Sequence, residues 1–295
     1  MRLRRRRGIV VKFMSNAAIV EDLETKERVR CYLRGRFRLQ DLKPIVGDIV
    51  EYTKVLDGGV IESILKRKNE LLKPRVANID QVICVCTLKR PEVPLLVVDK
   101  LLVLVEQTGL DAVVVLNKID LLTEEDEPKK QEFIKAYGSI YPLICTSAKT
   151  GEGLDKLKEV LKDKVSVFAG VSGVGKSTIL NAICPGVSLK TQEVSEKTER
   201  GRHTTTSAEL ITFPFGGHVV DTPGFSLIEI THIRPEELQL YFRDFRELSE
   251  KCLFTDCTHT SEPGCKVREA VEKGILARSR YESYLEMMEE VKGKS

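Results

Sequence analysis

The stretch that most constrains this chain is Gly170-Val171-Ser172-Gly173-Val174-Gly175-Lys176-Ser177-Thr178. The run before it, residues 165–169 (Val-Ser-Val-Phe-Ala), is short, apolar and rich in β-branched residues, which predicts a buried strand. The run after it, 177–183, spaces its apolar residues as a helix does. A Gly-rich turn joining strand to helix and ending in Lys-Ser is a phosphate-binding loop. Its glycines let the backbone approach a polyphosphate, and the freed N–H groups and helix N-terminus face the anion. In that arrangement Lys176 reaches the β- and γ-phosphates and the Ser177 hydroxyl reaches Mg²⁺.

Upstream, apolar strand-like runs alternate with helical ones: 82–86, 95–105, 111–116, 124–137, 141–145 and 154–161. Such alternation predicts a parallel sheet with helices on both faces. Two of the strands end in polar tetrapeptides. The first is Asn117-Lys118-Ile119-Asp120. A carboxylate at the base edge accepts from the N1–H and 2-amino group of guanine together, so Asp120 selects guanine over adenine. Asn117 fixes the loop and contacts the imidazole edge, and the stem of Lys118 covers the ring. The second is Thr146-Ser147-Ala148-Lys149, where the Ala148 N–H reaches guanine O6.

Downstream, residues 190–206 are polar and aperiodic and hold Arg200-Gly-Arg-His-Thr-Thr-Thr206, the composition of a switch loop ordered by a γ-phosphate. Thr204 or Thr205 supplies its hydroxyl to Mg²⁺; the sequence leaves that choice open. The run 218–220 then feeds Asp221-Thr-Pro-Gly224, with Asp221 in the Mg²⁺ shell and the Gly224 N–H at the γ-phosphate. These are the guanine-nucleotide motifs of GTPases in rotated order, base recognition preceding the phosphate loop. Rotation is tolerated because the original termini of such a fold lie close together. The residue after Gly224 is Phe225, where a water-positioning Gln is expected. His203, whose imidazole can accept from an attacking water, is the candidate replacement.

The front of the chain carries a different pattern. Residues 1–40 hold twelve Lys/Arg against four Asp/Glu, whereas the whole chain has a net charge of only +3. A basic end on a nearly neutral chain points to a polyanion such as RNA. Arg4, Arg5, Arg6 and Arg7 read as a mobile basic arm. Strand-like runs at 9–11, 17–20, 29–33, 45–50 and 59–65 fit a small barrel of the OB type. Arg34, Arg36, Phe37 and Arg38 interleave cations with an aromatic, as a surface that tracks a phosphate backbone does. Residues 66–69 and 73–75 read as a polar linker.

The tail holds Cys252, Cys257, His259 and Cys265, a Cys₃His set within fourteen residues that fits a closed, tetrahedral structural Zn²⁺ site. Cys31, Cys84, Cys86, Cys145 and Cys184 read as buried small apolar residues. No run reaches the about 18 apolar residues of a membrane span, and no apolar segment follows the N-terminal charges, so a cytoplasmic protein is expected.

The rotated motifs, with the basic OB-like front, Gly-Arg-His-Thr-Thr-Thr at 201–206 and the Cys spacing of the tail, closely resemble the circularly permuted GTPases of the RsgA (YjeQ) family. The resemblance covers the whole chain. It implies three domains: a basic arm plus OB-fold RNA-binding barrel at 1–68, a permuted α/β P-loop GTPase domain at 69–228, and a mostly helical zinc-binding domain at 229–295. It also implies a monomeric GTP hydrolase that assists late maturation of the small (30S) ribosomal subunit, contacts its rRNA, and is stimulated by that particle. The competing readings are an RNA-binding protein with a structural or regulatory guanine-nucleotide site, and a permuted GTPase of the large subunit.

Overall fold

Five strands rich in β-branched residues open the chain: β1 (Arg5–Phe13), β2 (Ala17–Asp22), β3 (Arg28–Leu33), β4 (Ile49–Val55) and β5 (Gly58–Ile64). The computed structural model describes residues 4–34, 43–72, 75–185, 208–221 and 230–293. Strand β1 pairs with β2 over Gly8–Phe13 and with β4 over Arg5–Ile9, while β3 runs parallel to β5 and β5 antiparallel to β4. The order β1-β2-β3-β5-β4 closed on β1 is a five-stranded barrel, as the sequence predicts. Val10, Val20, Val29, Val50, Tyr52 and Ile61 fill its interior. Each aliphatic member contributes about 1.5–3 kcal/mol through burial.

Three expectations for this region need correction. Arg5, Arg6 and Arg7 are not a mobile arm but the first residues of β1. Backbone pairing to Thr53, Tyr52 and Glu51 holds them, and Arg5 and Arg6 reach Glu51 and Asp22 at 3.5 Å. The run 45–50 is not one strand, because the buried Asp48 carboxylate accepts from the Ile45 N–H at 2.8 Å and turns the chain before Ile49. The 66–75 stretch is not a plain linker. Glu70–Leu72 (β6) and Arg75–Ala77 (β7) form a hairpin, and Arg67 ties it to Asp48 at 2.7 Å.

The next elements are β8 (Gln81–Cys86), α1 (Leu95–Thr108), β9 (Asp111–Leu116), α2 (Glu127–Tyr137), β10 (Leu143–Cys145) and α3 (Leu154–Leu161). Strands β8, β9 and β10 are parallel in the order β10-β9-β8. All six residues of β8 and five of six in β9 are buried, as the apolar runs 82–86 and 112–116 require. Strand β11 (Val165–Ala169) and helix α4 (Lys176–Ile183) flank the phosphate loop. Strands β12 (Glu209–Thr212) and β13 (His218–Asp221) form an antiparallel hairpin. The tail adds short helices α5 (Pro235–Leu238) and α6 (Arg246–Ser249), then α7 (Lys266–Glu272) and α8 (Arg278–Lys292).

The described residues cluster into two compact units. The first takes its members from 1–80, 161–167 and 186–223, the second from 81–160, 168–185 and 224–295. In the first, β13 pairs parallel with β11, and β12 meets β1 at Lys12 and Glu209, whose side chains lie 2.6 Å apart. In the second, the tail closes a core of Phe242, Phe245, Val267, Tyr284, Met287 and Met288 to which α1 contributes Val103. No helix among the described residues is long and apolar enough to cross a membrane.

Candidate nucleotide site and metal centre

The phosphate loop is shaped by two glycines that no other residue could replace. Gly170 has φ +141°, and a Cβ there would lie 2.2 Å from the Val85 carbonyl oxygen. Gly175, at the start of α4, has φ +96°, and a Cβ there would lie 2.5 Å from Asn117 Nδ2. Both backbone conformations fall in the region open to glycine. Val174 is buried and pins the loop, while Ser172 and Gly173 are exposed and Val171 and Ser177 half-buried. The half-buried Lys176 Nζ donates to the carbonyls of Gly170 at 2.8 Å and Val171 at 3.1 Å, so its ammonium lies within the curl of the loop. Burial lowers the Lys176 pKa, because the ammonium is partly removed from water. Thr178 is exposed on α4.

The structure brings Asn117 and Lys118, two of the residues expected at the base, against this loop. Buried Asn117 donates from Nδ2 to the Val174 carbonyl at 2.9 Å and accepts at Oδ1 from the Thr146 hydroxyl at 3.1 Å. Lys118 takes φ +61°, and its Nζ donates to the Gly173 carbonyl at 2.7 Å and to the Arg90 carbonyl. Its stem is thereby laid along the loop. Asp120 sits on the single turn Ile119–Leu121, and its Oδ1 accepts from the Ser147 hydroxyl at 2.7 Å. Ser147 is fully buried and holds Asp120 through this hydrogen bond, a contact that composition gave no sign of. Ala148 is half-buried and Lys149 exposed.

Strand β13 ends at Asp221. His203, Thr204, Thr205 and Gly224 lie outside the described residues, as do Arg36, Phe37 and Arg38. Arg4 and Arg34 are exposed, and Arg34 reaches the buried Glu62 at 2.7 Å. The expected buried thiols are free: Cys31, Cys84, Cys86 and Cys184 are buried and Cys145 half-buried. Burial pushes the thiols of Cys31 and Cys84 up to about 12, leaving them protonated and inert.

In the tail, the ligand atoms of Cys252, Cys257, His259 and Cys265 all lie within 4.8 Å of one another. His259 Nδ1 is 3.7 Å from Cys252 Sγ and 3.4 Å from Cys265 Sγ. A tetrahedral zinc with ordinary bond lengths sets such N···S edges at about 3.6 Å. The other ring nitrogen, Nε2, lies 2.6 Å from Gln239 Oε1 and 3.0 Å from Ser249 Oγ, outer partners of the kind that orient a ligating imidazole. The Lys266 N–H donates to Cys252 Sγ at 3.3 Å. These residues could hold a metal ion. Sequence spacing picked out the four clustered residues but not Gln239, which lies 20 residues upstream of His259.

The family model described as RsgA GTPase matches residues 64–231, and the one described as RsgA N-terminal domain matches residues 7–61. The chain belongs to the RsgA GTPase family. It is 57% identical over 291 residues to the small ribosomal subunit biogenesis GTPase RsgA of Thermotoga maritima, covering 98% of each chain. The RsgA protein of Caldanaerobacter subterraneus subsp. tengcongensis is 48% identical over 268 residues, 90% of each chain. Among solved structures, YjeQ of Thermotoga maritima matches with a TM-score of 0.86 and 53% identity, covering 99% of this chain and 100% of that one. YloQ, a circularly permuted GTPase, matches with a TM-score of 0.82 and 37% identity over 99% of this chain and 96% of its own. Membership of the RsgA GTPase family makes the rotated motif order that of a GTP hydrolase.

Proposed function

We propose that this GTPase binds the small (30S) ribosomal subunit in the cytoplasm, assists its late maturation, and leaves after hydrolysing GTP to GDP and phosphate. What carries the reading is the likeness over almost the whole chain to proteins named small ribosomal subunit biogenesis GTPase, joined to a complete guanine-nucleotide motif set. Asp120, aimed by Ser147, selects guanine, and Asn117 and Lys118 brace the loop on which base and phosphates meet. Ser177, Asp221 and one of Thr204 and Thr205 would hold Mg²⁺, which offsets charge on the β- and γ-phosphate oxygens when bound. His203 accepts from the attacking water in place of the absent Gln, and the Gly224 N–H meets the γ-phosphate.

The metal of the Cys₃His set is structural zinc, because four protein ligands leave no open position. The barrel, with Arg4–Arg7, Arg34, Arg36, Phe37 and Arg38, contacts rRNA. The chain acts as a monomer of three domains, 1–68, 69–228 and 229–295. Sedimentation with purified small subunits tests the cycle. Binding with a non-hydrolysable GTP analogue should be at least about tenfold tighter than with GDP. Equal affinity in the two states would contradict release by hydrolysis.

A further inference from the structure

Helix α1 has two working faces. One lies behind the phosphate loop: Val97, Val98 and Leu101 share a small apolar cavity with Val85, Gly170 and Val171. The loop leading into α1 touches the same place. The ring of Pro91 lies against Gly173, where a Cβ would be 3.4 Å from Pro91 Cδ, and the Arg90 carbonyl shares Lys118 Nζ with the Gly173 carbonyl. The other face belongs to the tail. Val103 is part of the tail's core, Lys100 pairs with Glu290, and Glu106 pairs with Arg243 at 2.8 Å and Arg246 at 2.7 Å. At the centre, buried Asp99 accepts from Arg280 Nη1 at 2.5 Å and from the Tyr137 hydroxyl at 2.9 Å, while Arg280 also engages Asp244.

From Arg280 the contacts run on to the metal centre. Helix α8 carries Tyr281 and Tyr284, whose hydroxyls donate to the carbonyls of His259 and Thr258, both at 2.7 Å. Phe245 meets the His259 ring edge-on at 5.9 Å, and Arg280 lies over the Phe242 ring at 4.8 Å. The metal loop, α8, the Arg280–Asp99 pair, α1 and the phosphate loop are thus one continuous packed path within the second unit.

We propose that the metal centre and the phosphate loop are energetically coupled through Arg280, Asp99 and α1, so that metal occupancy sets nucleotide affinity. Arg280 is then a positioning residue for the nucleotide site. Binding linkage is reciprocal, so GDP raises zinc affinity by the factor by which zinc raises GDP affinity. The inference needs only the purified chain, GDP, Mg²⁺ and zinc, and is independent of the ribosomal reading.

The test is calorimetric titration of GDP in Mg²⁺ buffer, with the chain zinc-loaded and after a zinc-selective chelator. Zinc removal should weaken GDP binding of the unmodified chain by about tenfold. An Asp99→Asn/Arg280→Met double variant, which avoids an unpaired charge at position 99, should show less than about a twofold difference. Tyr281→Phe, which removes a single hydroxyl, should show an intermediate ratio and decides the matter if the double variant fails to fold. An unmodified chain that holds no zinc, or whose GDP affinity ignores zinc removal, overturns the proposal. So does a full tenfold ratio retained in the variants.

Discussion

In the proposed base site, Asp120 is held by the Ser147 hydroxyl, which donates to its Oδ1 at 2.7 Å. A carboxylate held this way accepts two donors side by side, the feature that guanine has and adenine lacks. Asp120→Asn replaces one acceptor by a donor, so xanthine, which carries oxygen where guanine carries the 2-amino group, becomes the better fit. Competition binding should show GTP affinity falling by at least about a hundredfold while that for xanthosine triphosphate rises. Unchanged GTP preference would remove Asp120 from the base site. At this scale spacing in the sequence anticipated which side chains come together: Asn117 and Lys118 meet the loop that holds Lys176, and Cys252, Cys257, His259 and Cys265 cluster in the tail. It was silent on partners set by tertiary contact. Ser147 under Asp120, Gln239 behind His259 and Arg280 against Asp99 lie 27, 20 and 181 residues apart in the chain.

At the scale of elements, strongly periodic or wholly apolar stretches were legible. Strand β11 and helix α3 have the limits their residue patterns dictate. Short pairings were not. Strand β12 has four residues and owes its place to β13 and to Lys12 of β1, and the β6–β7 hairpin depends on Arg67 and Asp48. The start of β1 was misread because four consecutive arginines look unstructured until Glu51 and Asp22 are placed beside them. Strand β2 also carries two buried acids. Burial pushes the carboxyl of Glu21 up, but hydrogen bonds from His218 and Thr212 outweigh it and bring its pKa down to about 2. Asp22 likewise falls to about 2, burial being outweighed by the Tyr52 hydroxyl and the N–H groups of Thr25 and Glu24. Groups with depressed folded pKa values stabilise fully above their unfolded values, and that contribution is lost as pH falls from about 4.5 toward 2. The melting temperature should therefore drop across that window. Glu21→Gln should destabilise the chain at pH 7 by about 1–3 kcal/mol and make the acid slope shallower. An acid slope unchanged by Glu21→Gln would show that this cluster does not carry it.

For the whole molecule, permutation changes which parts of a GTPase neighbour one another in the chain. The hairpin β12–β13, which ends at Asp221, clusters with the barrel, whereas the phosphate loop beyond Phe168 and the loops at 117–120 and 146–149 cluster with the tail that carries the Cys₃His group. A Phe at position 225 in place of a water-positioning Gln fits a hydrolase that waits for its partner. The most direct test is GTP turnover by the chain alone, with purified small subunits, and with large subunits, at one fixed salt concentration. Slow turnover alone, raised at least about tenfold by small subunits and unaffected by large ones, is the predicted result. Equal turnover in all three, or stimulation by large subunits instead, would contradict a role on the small subunit.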